Sequence, residues 1–159
     1  MKVLALDISL VDTGWAYWNN SKIIFSHFPT PKLLTGQTEA QSEYQAKEIS
    51  KLFEKLKPDK VLIEDTYILP TNPKTGILLA RMGGWASLYF HLQGKDYEFV
   101  KPSTVRKTVG LKIPRGTKQT AKKKLIVNHV NKVLKQETRN HNEADALNLL
   151  YYWIKTKGE

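Results

Sequence analysis

The chain opens on a run of four apolar residues, Val3-Leu4-Ala5-Leu6, that ends abruptly on Asp7 and predicts a buried strand. Residues 13–18 (Thr-Gly-Trp-Ala-Tyr-Trp) alternate small and aromatic side chains and predict a second strand. Asn19-Asn20-Ser21 is a turn signal, through which residues 22–28 fold back as a third, antiparallel strand. Pro29, Pro31 and Gly36 mark a loop. Residues 37–57 lack Pro and Gly and carry Ala46, Ile49, Phe53 and Leu56 at steps of three and four, an amphipathic helix that Pro58 ends. Residues 60–64 (Lys-Val-Leu-Ile-Glu) are a fourth strand, again closing on a carboxylate.

Residues 70–76 contain two prolines and read as a loop. The helix that follows, 77–92, is apolar on nearly every side and belongs either in the centre of the fold or at a subunit interface. Residues 97–100 form a fifth strand; Pro102 opens a short helix, 117–134 a longer one, and 140–155 the last. Three hairpin-joined strands followed by alternating helix and strand predict an α/β fold, a five-stranded mixed sheet flanked by helices. With no repeat, linker or low-complexity tract, 159 residues predict a single domain over 1–159.

A composition of 41% hydrophobic and 25% charged residues excludes collagen, coiled coil and wholesale disorder. The absence of cysteine removes disulfides, thiolate nucleophiles and thiolate metal sites, and fits a reducing compartment. The N-terminal apolar run is too short for a signal-peptide core and no stretch approaches a membrane span. The expectation is a soluble, cytoplasmic protein without a membrane partner.

Charge changes the picture. The net charge is +10, and residues 101–135 hold 11 Lys and Arg with no Asp or Glu, leaving a net of −1 for the rest. Excess charge confined to one segment points to a polyanion-binding face rather than a generally basic surface. Val105, Val109, Leu111, Ile126 and Val130 interleave with the cations, so the segment is folded. The stretch from Gly110 to Lys118 has a five-residue spacer and an extra Thr where a P-loop needs four residues and then Lys, so no nucleotide cofactor is expected.

Asp7 and Glu64 both emerge from buried strands, and alternation sends Glu64 and Asp65 to opposite faces, so only one of that pair can join a shared site. Asn140 with Glu143 has capping-box spacing, which gives Glu143 a structural role. Asp145 has no such role and lies near the apolar face of its helix, with Asn142 three and His141 four residues before it. Three converging carboxylates repel one another by roughly 4 kcal/mol per pair at 4 Å and an effective dielectric of 20. Either their pKa values rise or divalent cations neutralise them. Oxygen ligands suit Mg²⁺ or Mn²⁺, and two such ions can activate a water and stabilise a leaving 3′-oxygen.

Leu4 to Leu10 followed by Thr13-Gly14-Trp15-Ala16 resembles the first motif of the RuvC-type Holliday-junction resolvases of the ribonuclease H-like superfamily, and Val61 to Tyr67 the second. Asn72, Gly76 and Ala80-Arg81-Met82-Gly83-Gly84 resemble the helix that follows; Pro102 to Lys107 with Lys118 resembles the basic stretch, and Glu143 to Leu147 the last acidic motif. The resemblance implies a ribonuclease H-like fold and a homodimeric endonuclease that nicks four-way DNA junctions symmetrically with two Mg²⁺ (or Mn²⁺) ions per site. It implies Asp7, Glu64, Asp145 and Asn142 as catalytic and metal-binding residues. Asn142 departs from the Asp or His usual there and leaves open whether it or His141 completes the site. Tyr67 is implied as an aromatic wedge at the crossover, and Arg106 and Lys118 as DNA contacts, which Lys107, Arg115 and Lys122 of the basic segment are expected to join. The 77–92 helix, with Ala80, Gly83 and Gly84 permitting close approach, is the expected dimer contact. Bacterial cells and virus-infected host cytoplasm are both compatible hosts. Two alternatives stand beside this reading: a related nuclease for other branched DNA or structured RNA, and a non-catalytic junction-binding module.

Overall fold

The computed structural model describes residues 1–66 and 73–157. Its elements are β1 (Val3–Asp7), β2 (Asp12–Trp18), β3 (Ile23–Pro29), a 3₁₀ turn (Lys32–Leu34), α1 (Thr38–Leu56), β4 (Lys60–Glu64), α2 (Pro73–Leu92), β5 (Asp96–Val100), α3 (Pro102–Val109), α4 (Gln119–Val133) and α5 (His141–Lys157). The sheet runs β3-β2-β1-β4-β5, with β1, β2 and β3 antiparallel and β1, β4 and β5 parallel. This is the mixed sheet flanked by helices that the hydrophobic pattern predicts.

One boundary differs. Helix α2 begins at Pro73, inside the expected 70–76 loop, because proline's fixed φ and missing N–H suit the first turn of a helix. Elsewhere the turn chemistry holds. Asn20 takes positive φ in the β2–β3 turn, and Asn19 Oδ1 accepts from the Lys22 N–H at 3.0 Å. Lys57 in the left-handed conformation closes α1 ahead of Pro58.

Two apolar layers sandwich the sheet, and strand alternation decides which side chain enters which. Leu4 and Leu6 of β1 and Val61 and Ile63 of β4 pack with Ile49 and Phe53 of α1 and Ala86 and Phe90 of α2. Val3 and Ala5, with Leu62 and Val100, face the opposite layer of α3, α4 and α5. Helix α5 is its centre: Ala144, Leu147, Leu149, Leu150 and Trp153 are buried, and Trp153 meets Trp18 with ring centroids 5.5 Å apart. Among the described residues no helix is long and apolar enough to cross a membrane.

Candidate active site

The same alternation that sorts the core carries two carboxylates to one place. Asp7 continues the Val3–Ala5 face of β1, and Glu64 continues the Leu62 face of β4; both faces look toward α5. Because β1 and β4 are parallel, with Leu6 opposite Ile63, both carboxylates sit at the same carboxyl end of the sheet, where open α/β sheets bind ligands.

Helix α5 brings the third. Its N-terminus lies against β2 at Gly14, the residue paired with Asp7: a Cβ added to Gly14 would stand 2.0 Å from the Asn142 carbonyl oxygen. Only glycine permits that approach. The helix start is fixed by Asn140, whose Oδ1 accepts from the Asn142 N–H at 2.8 Å and the Glu143 N–H at 3.3 Å. The expected reciprocal arm of the capping box does not form. Thr138 Oγ1 accepts from the Asn140 N–H and donates to Glu143, standing between them and satisfying both.

A cavity of about 640 Å³ gathers Asp7, Glu64 and Asp145, with Arg106 and Lys122 on its wall. Burial and then the Glu64 and Asp145 charges push the Asp7 pKa well above the usual carboxylate range; protonated, it donates a hydrogen bond to Glu64. Glu64 is raised by burial, opposed by that hydrogen bond and by Arg106 and Lys122. Burial, then Glu64, pushes Asp145 up to about 8 against the pull of Lys122, Arg106 and Lys123. The three groups thus titrate as a unit whose charge the protein alone does not neutralise. Among the described residues no three His, Asp or Glu side chains already stand at metal-ligand spacing.

The remaining sequence-predicted residues distribute as follows. Arg106 is anchored by its Nε donating to the Pro102 carbonyl at 3.0 Å. Lys107, Arg115 and Lys118 are exposed on α3, on the α3–α4 loop and at the start of α4, outside the cavity lining. Tyr67 and Asn72 lie outside the described residues. Asn142 does not line the cavity; its Nδ2 donates to Asp12 Oδ2 at 2.9 Å. His141 lines a separate cationic notch with Lys123, Lys124 and Arg139, and burial followed by Lys123 lowers its pKa. Asp65 does line this cavity, contrary to the alternation argument, because β4 ends at Glu64 and its pleat ends with it.

Two residues at or beside this site escape a sequence reading. Asp12 accepts from both Asn140 and Asn142 and holds His27 Nδ1 at 2.7 Å, tying the α5 N-terminus to β2 and β3. In sequence it is one Asp at the start of a strand. Asn148 lines the cavity one turn beyond Asp145. Its signal is a polar residue three positions after Asp145 in an otherwise apolar stretch.

The geometry agrees with what is similar to this chain. The family model of crossover junction endodeoxyribonuclease RuvC matches residues 9–151. No curated protein matches by sequence. Among solved structures, Thermus thermophilus RuvC in complex with a Holliday junction substrate aligns with a TM-score of 0.72 at 13% identity, covering 99% of this chain and 97% of that one. The fowlpox virus resolvase bound to Holliday junction DNA aligns at 0.56 and 15% identity, covering 99% of this chain and 100% of that one. The yeast mitochondrial Holliday junction resolvase aligns at 0.55 and 13%, covering 96% and 77%. At these identities the structural matches establish the ribonuclease H-like fold, and the family match over most of the length goes further: this chain belongs to the RuvC family of crossover junction endodeoxyribonucleases.

Proposed function

We propose that this chain is a divalent-metal-dependent endonuclease that resolves four-way DNA junctions by paired nicks. The observation that carries the reading is the convergence of Asp7, Glu64 and Asp145, all with raised pKa values, in one cavity walled by Arg106 and Lys122. The donor set fits Mg²⁺ or Mn²⁺: hard oxygens, no sulfur, and three carboxyls whose mutual repulsion a divalent cation would relieve. Asp7, Glu64 and Asp145 would hold the ions, two per site. When bound, such ions would supply an activated water and charge stabilisation at the leaving 3′-oxygen. Arg106, fixed by the Pro102 carbonyl, and Lys122 hold the phosphodiester against the carboxylates, whose own charge would otherwise repel it. Lys107, Arg115 and Lys118 extend the cationic track outward, and Tyr67 stacks on an unpaired base at the crossover.

Symmetric cutting calls for a dimer. Helix α2 turns a line of residues outward, Ile77, Ala80, Gly84, Leu88 and Leu92, with Leu88 57% and Leu92 73% exposed. Small residues between large apolar ones allow two such helices to approach closely, and that stripe is the contact we assign to the partner protomer. Of the two alternatives, Asn142 supports the junction-binding module without catalysis, since its amide is committed to Asp12.

Nicking of a mobile four-way junction, mapped on all four strands with Mg²⁺ or Mn²⁺, is the test. Paired symmetric nicks are expected, reduced more than about 100-fold in Asp7→Asn. Equal cutting of linear duplex would reject junction selectivity. Tight junction binding with no calorimetric metal site would establish the binding module instead.

A further inference from the structure

Asn148 is 2% exposed, and neither its Oδ1 nor its Nδ2 has a hydrogen-bond partner among the described residues. Two other buried polar atoms share that state, Gln45 Oε1 and His129 Nε2, but neither residue lines the catalytic cavity. Asn148 does, one helical turn beyond Asp145 and among the same wall residues as Arg106, Lys122 and Ile126. A carboxamide withdrawn from water and left unpaired destabilises the fold, and a leucine of similar size would not. Its neighbours Leu147, Leu149 and Leu150 show that this stretch of α5 is otherwise apolar. The amide therefore answers to something that enters the cavity.

We propose that Asn148 is a positioning residue for the divalent ion, its carboxamide hydrogen-bonding a water of the ion's hydration shell beside Asp145. The inference rests on the metal-dependent reading above. A water-mediated contact matters most for an ion that keeps its water. Mg²⁺ dehydrates reluctantly and is held through several waters, so it leans on outer groups.

The test measures metal binding by calorimetry and melting temperature in chelator for the wild type, Asn148→Leu and Asn148→Ala, the last adding no volume should the leucine not pack. Asn148→Leu is expected to melt at or above the wild type without metal. Both variants are expected to bind Mg²⁺ about 10- to 100-fold more weakly, with a smaller loss for Mn²⁺. Junction binding in chelator is expected to be unchanged. Unchanged Mg²⁺ affinity in both variants, or equal losses for the two ions, would overturn the role of Asn148 while leaving the metal site standing. A wild type that binds neither ion would overturn the metal-dependent reading and this inference together.

Discussion

A carboxyl that holds its proton in the folded state but sheds it in the unfolded chain makes stability fall as pH rises. Asp145, pushed up to about 8 from an ordinary value of 3.8, is such a group. Its contribution is whole below pH ~4, declines as pH climbs toward 8, and levels off above that. Asp7 and Glu64 are displaced in the same direction and add to the slope. A divalent ion that replaces those protons reverses the trend, because binding releases them and strengthens with pH. Thermal melts in chelator are expected to show the melting temperature falling from pH 5 to pH 8, and the increment from added Mg²⁺ growing over the same interval. A metal increment independent of pH would mean that the carboxyls are already ionised and the repulsion is relieved some other way. Asp7, Glu64 and Asp145 were legible in sequence because each is an acid where an apolar neighbourhood should exclude one. Asp12 and Asn148 were not: an Asp at a strand start and an Asn inside a helix are ordinary, and only the packing of α5 across the sheet makes them members of the site.

That packing depends on one close approach. Gly14 lies in β2 directly opposite Asp7, and the α5 backbone at Asn142 occupies the space a side chain would take. Gly14→Ala cannot be absorbed by a flexible side chain, since the obstruction is a carbonyl group. The helix must retreat from the strand, carrying Asp145 away from Asp7 and Glu64. The expected loss is about 3 kcal/mol, a drop of roughly 10 °C in melting temperature, together with loss of nicking. A variant within about 2 °C of the wild type and fully active would show that α5 is seated less closely than this. The glycine was visible in the sequence as part of a strand motif, but nothing in the chain says which distant backbone it meets. By contrast, the sheet could be read almost strand for strand, because alternation and turn residues act locally. The carboxylate convergence follows from that local pattern too: the parity of Ala5 and Leu62 fixes the face on which Asp7 and Glu64 emerge. The start of α2 was lost because Pro73, inside a proline-containing stretch, reads equally as a loop or as a first helical turn.

Across the molecule the charge is as asymmetric as the fold. Nine of the eleven basic residues of 101–135 fall on α3, α4 and the loop joining them, on the side of the sheet that carries the carboxylates, while α1 on the other side intersperses Glu39, Glu43, Glu48 and Glu54 with its lysines. The cations without acidic neighbours in sequence therefore share a side of the sheet with the carboxylates, so attraction for a polyanion is centred on the site. If about six of the cations lie on phosphates, the logarithm of junction affinity should fall against the logarithm of salt with a slope near −5. Replacing a single outward cation on that side, Lys118→Ala or Lys124→Ala, is expected to flatten the slope by about 1. Lys51→Ala on α1, whose Nζ is already paired with Glu48 at 2.7 Å, is expected to leave it unchanged. Binding measured across a salt series for these three variants distinguishes a directed face from a generally basic surface. Equal flattening by Lys51→Ala, or a wild-type slope shallower than about −2, would mean that the nucleic acid does not lie along α3 and α4.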